Sequence, residues 1–267
     1  MEALQITDSW PAENVAVAAL SPAAELGRRG DAARVFRWAS VTKPVVSLAA
    51  LVAAEEGTIN LDEAAGPPGS TIRHLLAHAS GLPFEAGPPI AKPGTRRIYS
   101  NAGFEVLAGR IAEQAEMPFA EYLEQAVLQP LGMKAELLGS PAAGLQGTLE
   151  DLVALGRELL APTLVAPETF AEATSVQFPG LAGVIPDLGR FDPNDWGLGF
   201  ELKDGKQPHF SGTVTSPRTF GHWGGSGTFI WVDPERRLAL GVLTDLDFGD
   251  WAKEAWPRLS DAVVGQS

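Results

Sequence analysis

Residues 36–58 read FRWASVTKPVVSLAALVAAEEGT, and this stretch decides how the rest of the chain is arranged. Val41, Val45, Leu48 and Val52 recur at helical spacing, with Ala and Leu filling many of the neighbouring positions. A helix that is apolar on nearly every side belongs in the interior of a molecule. Gly57 offers a stop, which gives about four to five turns at 3.6 residues each. Pro44 falls in the first turn, where a missing N–H does least harm. Ser40 therefore lies at the N-terminal mouth of a buried helix, and Lys43, three residues on, shares its face. A hydroxyl becomes a competent nucleophile when a neighbour takes its proton, and a partly desolvated amine can do so. The helix N-terminus also favours the negative charge that develops in acyl transfer. A capping serine beside a snorkelling lysine gives the same Ser-x-x-Lys pattern, so the choice turns on the rest of the chain.

Working outward, residues 14–22 and 24–31 predict two short strands joined by a turn, and residues 35–38 a third that feeds Ser40. Beyond Gly57, residues 71–83 predict a short helix ended by Gly81 and Pro83, followed by a Pro/Gly loop over 85–94. Residues 99–115 carry Phe104, Leu107, Ala108 and Ile111 at helical spacing, with Asn101 as N-cap. Pro118 opens a further helix that closes near Pro130 and Gly132. Thr148-Leu149-Glu150-Asp151 has capping-box spacing and starts a helix reaching about Leu160. Residues 178–195 read as a long surface loop. Strands follow over 196–202, 228–234 and 238–245, the last two forming a hairpin that turns at Pro234-Glu235-Arg236. A C-terminal helix over 251–264 is expected to bend at Pro257.

Strands at both ends with helices between them predict an α/β (α+β) fold. Its antiparallel sheet, with flanking helices, is built from both termini, and a mostly helical domain is inserted. The boundaries fall at 1–60 with 195–267 for the α/β part and 61–194 for the helical part, with the active site between them.

The composition narrows the function. A chain of 267 residues, 45% hydrophobic and 8% aromatic, can bury a large core. Its net charge of −13, with no basic block, argues against nucleic acid and anionic membrane surfaces as partners. The absence of cysteine removes disulfides and thiolate catalysis. MEALQITDSWP has no basic n-region and no apolar run, and no stretch approaches the ~18 apolar residues of a membrane span. A soluble cytoplasmic protein is expected; nothing in the sequence specifies its oligomeric state.

Two further places carry chemistry. Tyr99-Ser100-Asn101 puts a phenol and an amide at a helix mouth, and Gly221-His222-Trp223-Gly224-Gly225-Ser226-Gly227 is a glycine-rich run entering a strand. Glycines there let backbone approach a ligand and leave an N–H free to face an oxyanion. His74 and His78 stand at i, i+4 but lack the glutamate of a zinc-protease motif, which favours a structural His78 over a metal site. Ser226, His222 and Asp245 make a weak triad, because Gly224-Gly225-Ser226-Gly227-Thr228 misses the nucleophile elbow at its last residue. Asp245, Asp247 and Asp250 read as a solvated turn. The tryptophans read as packing residues, with Trp223 the exception by its position.

RWASVTK, LLAHASGLP, YSNAGF, PLGM, WGLGF and GHWGGSGTF, in that order, resemble the serine β-lactamase and penicillin-binding-protein family. The similarity, spanning about residues 36 to 245, is strongest to the class C branch, which includes D-amino peptidases and carboxylesterases. It implies Ser40 as nucleophile, Lys43 or Tyr99 as the base, and Asn101 holding Lys43 and the acyl chain. His222, Trp223 and Gly224 would form the third motif on the leaving-group side, and the N–H groups of Ser40 and Gly225 the oxyanion hole. No metal or organic cofactor is implied.

Two departures bear on specificity. His222 stands where lysine is commoner and Trp223 where a small hydroxylated residue is usual, both at the place where a β-lactam carboxylate would be held. A histidine of ordinary pKa, about 6.5, is mostly neutral at neutral pH, so acid should aid any β-lactam turnover. The expected function is a serine hydrolase forming an acyl-enzyme with a carboxylic ester or amide, most esterase-like. β-Lactamase or D,D-/D-amino peptidase activity, and a catalytically silent binding module, are the competing readings.

Overall fold

Strands from opposite ends of the chain pair side by side in a six-stranded antiparallel sheet. The structure, a computed structural model, describes residues 1–267. β1 (Val15–Leu20) and β2 (Glu25–Arg29) form the first hairpin. β9 (Glu201–Leu202), β10 (Phe220–Gly224), β11 (Thr228–Asp233) and β12 (Leu238–Thr244) come from the other end, in the order β2-β1-β12-β11-β10-β9. β1 closes the two halves by pairing with β12 from Val15↔Thr244 to Leu20↔Ala239.

Alternate residues of these strands face opposite sides, and both sides are covered. Val17, Ala19, Phe229, Trp231, Leu240 and Val242 pack with an N-terminal 3-10 helix (Glu2–Ser9) and the C-terminal helix, Asp250–Val264, which runs on through Pro257. Ala16, Ala18, Leu20, Ile230 and Val232 pack with the long helices of the middle of the chain. Double burial is why β11 and β12 read as unbroken apolar runs.

The helix at the centre is α1 (Thr42–Glu55), whose residues Thr42 to Ala53 are all buried. It is preceded by a 3-10 turn, Ala39–Val41. The chain reaches that turn through β3 (Phe36–Arg37). Next come α2 (Ile72–Leu76), β4 (Arg97–Ile98), α3 (Asn101–Ala115) and α4 (Phe119–Leu123), which passes into a π turn, Glu124–Leu128. β5 (Glu136–Leu137) and β6 (Leu145–Gly147) make a small sheet with β3. α5 (Leu149–Leu160) begins at the expected capping box, with Asp151 N–H on Thr148 Oγ1 and Thr148 N–H on Asp151 Oδ2. α6 (Pro167–Ala173) follows.

Three expectations are corrected. Ser100, not Asn101, caps α3, its Oγ accepting the Gly103 N–H at 2.9 Å. The stretch over 178–195 is not all loop: β7 (Gly183–Ile185) and β8 (Gly189–Phe191) form a hairpin, and β7 pairs in parallel with β4. The strand expected over 196–202 is reduced to β9. No helix is long and apolar enough to cross a membrane.

Candidate active site

The Ser40 turn is strained and tied down. Ala39 has φ 45°, a left-handed conformation that costs a non-glycine residue about 1–3 kcal/mol. The Thr228 hydroxyl donates to Trp38 O at 2.9 Å and the Ser226 hydroxyl to Arg37 O at 2.7 Å. From the other side, Trp38 N–H donates to Leu145 O at 2.9 Å. Gly224 makes this closeness possible, since a Cβ there would lie 2.4 Å from Trp38 O and 2.6 Å from Thr228 Oγ1. Ser226 thus ties down the turn.

Lys43 is fully buried, and its Nζ touches three oxygens: Asn101 Oδ1 at 2.7 Å, Ala142 O at 2.9 Å and Ser40 Oγ at 3.2 Å. Burial drives its pKa down to about 7, against the raising charges of Glu85 and Glu105. The two carbonyl-type neighbours can only accept, so they take both N–H groups of the neutral amine. Its lone pair is left for the third neighbour, the hydroxyl of Ser40. The Asn101 amide is oriented by this contact at one end and by Nδ2 donating to Glu85 Oε1 at 3.3 Å at the other.

Tyr99 faces the same point. Its ring centroid lies 4.7 Å from Lys43 Nζ, and its OH is 3.5 Å from His222 Nε2. Burial pushes the phenol above its ordinary value, opposed by the neighbouring Ser40 hydroxyl and reinforced by the charge of Glu201. His78 holds the segment in place: Nδ1 accepts the Ser100 N–H at 3.1 Å, and the ring packs at a tilt against Tyr99, 4.6 Å between centroids. His74 is equally structural, its Nδ1 closing the capping box of α2 with Thr71. The three aspartates of the C-terminal turn go separate ways, Asp245 to Asn14, Asp247 to Arg37 and Asp250 to Lys253.

His222 and Trp223 point to opposite faces of β10. His222 Nδ1 lies 2.7 Å from the Trp223 carbonyl, so Nδ1 carries the proton and Nε2 is left as acceptor for Tyr99. Burial and then the Lys43 charge push the His222 pKa down to about 3, although the Trp223 carbonyl and Glu201 act the other way. A His222 that stays neutral far below the pH at which Lys43 is protonated weighs against the expected acid-assisted β-lactam turnover. Trp223 packs on Phe248 at 4.4 Å and on Trp256 at 6.2 Å and also lines the cavity at Ser40.

Gly225 follows β10 on an exposed turn, with its carbonyl held by the Phe248 N–H at 2.8 Å. Its own N–H, like that of Ser40, donates to nothing in the chain. Two free N–H groups beside the Ser40 hydroxyl are the requirement of an oxyanion hole. The cavity they border is only about 130 Å³. It brings Ser40, Tyr99, His222, Trp223 and Gly225 together; Lys43 and Asn101 lie behind it and Gly224 beneath. The sequence reading missed several walls: Phe84, Trp196 and the hairpin residues Ile185, Pro186 and Asp187. Trp196, assigned to packing, stands 5.5 Å from the His222 ring and 5.7 Å from Tyr99.

A serine and lysine at the mouth of a buried helix, faced by a tyrosine and by a glycine-rich edge of an antiparallel sheet, is the layout of the β-lactamase/transpeptidase-like fold. The chain belongs to the Beta-lactamase family, whose model matches residues 21–141 and 134–264. That family is one of serine hydrolases. A crystal structure described as a β-lactamase from Mycobacterium bovis is 53% identical, with a TM-score of 0.98 over 99% of this chain and 98% of that one. EstCE1, described as a hydrolase with promiscuous acyltransferase activity, shares the fold at a TM-score of 0.80 and 18% identity, over 98% of this chain and 96% of that one. Penicillin-binding protein 4* of Bacillus subtilis is 25% identical, covering 66% of this chain and 48% of that protein. The D-alanyl-D-alanine-carboxypeptidase/endopeptidase AmpH of Escherichia coli is 28% identical, covering 38% and 36% respectively. The chain spans at most about half the length of these two curated relatives.

Proposed function

We propose that this protein hydrolyses small, uncharged carboxylic esters through an acyl-enzyme on Ser40. Ser40 Oγ attacks the carbonyl carbon while its proton passes to the Lys43 amine. The N–H groups of Ser40 and Gly225 hold the oxyanion, each donor worth about 2.7–4 kcal/mol. Collapse breaks the bond to the leaving oxygen, which takes a proton from Tyr99, and the Lys43 ammonium restores the phenol. Water then attacks the acyl-enzyme by the same steps and frees the acid. Asn101 positions Lys43, and His222 keeps the Tyr99 hydroxyl directed.

The observation that carries this reading is Lys43, a buried amine with pKa about 7 whose two N–H groups are occupied and whose lone pair is turned to Ser40. It also favours Lys43 over Tyr99 as the base, since burial raises the phenol pKa further above neutral pH. Preference for esters rests on the neutral His222 and the volume taken by Trp223 in a cavity of about 130 Å³. The name of the M. bovis relative and that of AmpH make β-lactams and D-alanyl peptides the competing substrates. The active site on this reading lies between the part formed by 1–60 with 195–267 and the part formed by 61–194. A panel of short p-nitrophenyl esters, nitrocefin and D-alanyl-D-alanine peptides tests it: esters should show much the highest kcat/KM. Nitrocefin or peptide turnover exceeding that of the esters would overturn the preference, and no turnover of any substrate would restore the silent-module reading.

A further inference from the structure

A cavity of about 530 Å³ lies apart from the one at Ser40. It opens where the α5–α6 connection meets the β9–β10–β11 edge of the sheet, and its volume is in the range of small-molecule sites. Its floor is apolar, with Leu160, Phe170, Leu202, Phe220 and Val232 among the lining side chains. Its rim carries two exposed guanidinium groups, Arg218 and Arg237, that make no ion pair and no side-chain hydrogen bond in the chain. Arg236, the adjacent residue, is by contrast paired with Asp233. Arg237 also stands at φ 53°, where glycine or asparagine would be relaxed, so the turn itself does not call for an arginine. Asp204 is the one acid on the same rim, leaving the arginines in excess.

An apolar floor beneath two unpaired cations matches an anion with an alkyl tail. We propose that this cavity binds a medium-chain fatty carboxylate, the tail against Phe170, Phe220 and Val232 and the head between Arg218 and Arg237. The site is separate from Ser40 and does not depend on the catalytic reading.

Calorimetric titration of the full chain, with Ser40 blocked by a fluorophosphonate or replaced in Ser40→Ala, tests this. Hexanoate, octanoate and decanoate should bind with affinity rising about fourfold per added methylene. Arg218→Glu with Arg237→Glu should weaken decanoate at least tenfold, and raised salt should weaken it in the wild type. Ala171→Trp, at the exposed cavity wall, should abolish binding while leaving short-ester hydrolysis by unblocked protein unchanged. No decanoate binding at millimolar concentration would overturn the proposal. So would equal binding of a decyl ammonium salt, or binding indifferent to both the charge-reversed and the Ala171→Trp variants.

Discussion

Replacing Lys43 by methionine keeps an apolar stem in the core and removes the amine, so it should make the protein inactive and, at neutral pH, more stable. The lysine pKa falls from 10.5 to about 7 on folding. At about 1.36 kcal/mol per unit this is about 5 kcal/mol against folding below pH 7, where both states hold the proton, and about 4 kcal/mol at pH 7. Methionine escapes that cost but leaves Asn101 Oδ1 and Ala142 O without a donor, at about 1 kcal/mol or more each. The net gain is about 2 kcal/mol, or roughly 4–8 °C in Tm for a chain of this size. The sign then changes with pH. Between about pH 7 and 10.5 the folded wild type binds fewer protons than the unfolded chain, so its stability rises with pH, whereas the variant gains nothing. Near pH 10 the lost hydrogen bonds should dominate and the variant should be the less stable of the two. Scanning calorimetry of both proteins from pH 6 to 10 measures this, since all other titrations are shared. A difference that stays constant across the range would refute the depressed pKa, and with it the choice of Lys43 as base.

The kcat/KM for a short ester should rise with pH to a plateau above about 7, because a protonated Lys43 cannot take the Ser40 proton. Tyr99→Phe should lower that plateau by about 10²–10⁴-fold without moving the limb, and a limb near pH 10 would instead assign the base to Tyr99. Gly224→Ala, which drives a Cβ into Trp38 O, should lose about 1–3 kcal/mol of stability in chemical denaturation together with most activity. Gly225→Ala, whose Cβ meets nothing within 4 Å, should unfold like wild type. Trp223→Ala should join the Ser40 cavity to the 280 Å³ aromatic pocket beside Phe210, Phe248 and Trp256. Its p-nitrophenyl ester profile should move from acetyl towards octanoyl by at least tenfold, and an unchanged profile would remove Trp223 as the size filter.

The parts of the fold legible in the sequence were those with a strong local signal. α1 could be placed because its apolar residues run all round the helix, and α5 because Thr148 and Asp151 form a reciprocal cap. β7 and β8 were missed because three-residue strands with exposed Val184 and Arg190 carry no readable period. The cap of α3 was misplaced because Ser100 and Asn101 are both good cap residues, and only the tertiary fold shows the Asn101 side chain turned to Lys43. Ser40, Lys43, Tyr99, Asn101 and His222 could be named from motif order, but the walls they face could not. Phe84, Trp196 and Ile185 reach the cavity from three distant segments, and nothing local marks them. The His222 protonation state was equally out of reach, because burial and the Lys43 charge set it and both depend on the assembled core.

The central claim is that Ser40 is the acylated residue, since it alone combines a buried amine at 3.2 Å with a helix mouth and two free N–H groups. Intact-mass spectrometry after treatment with a fluorophosphonate tests it most directly. One adduct per chain is predicted for the wild type and none for Ser40→Ala, and a stoichiometric adduct surviving in Ser40→Ala would contradict the assignment.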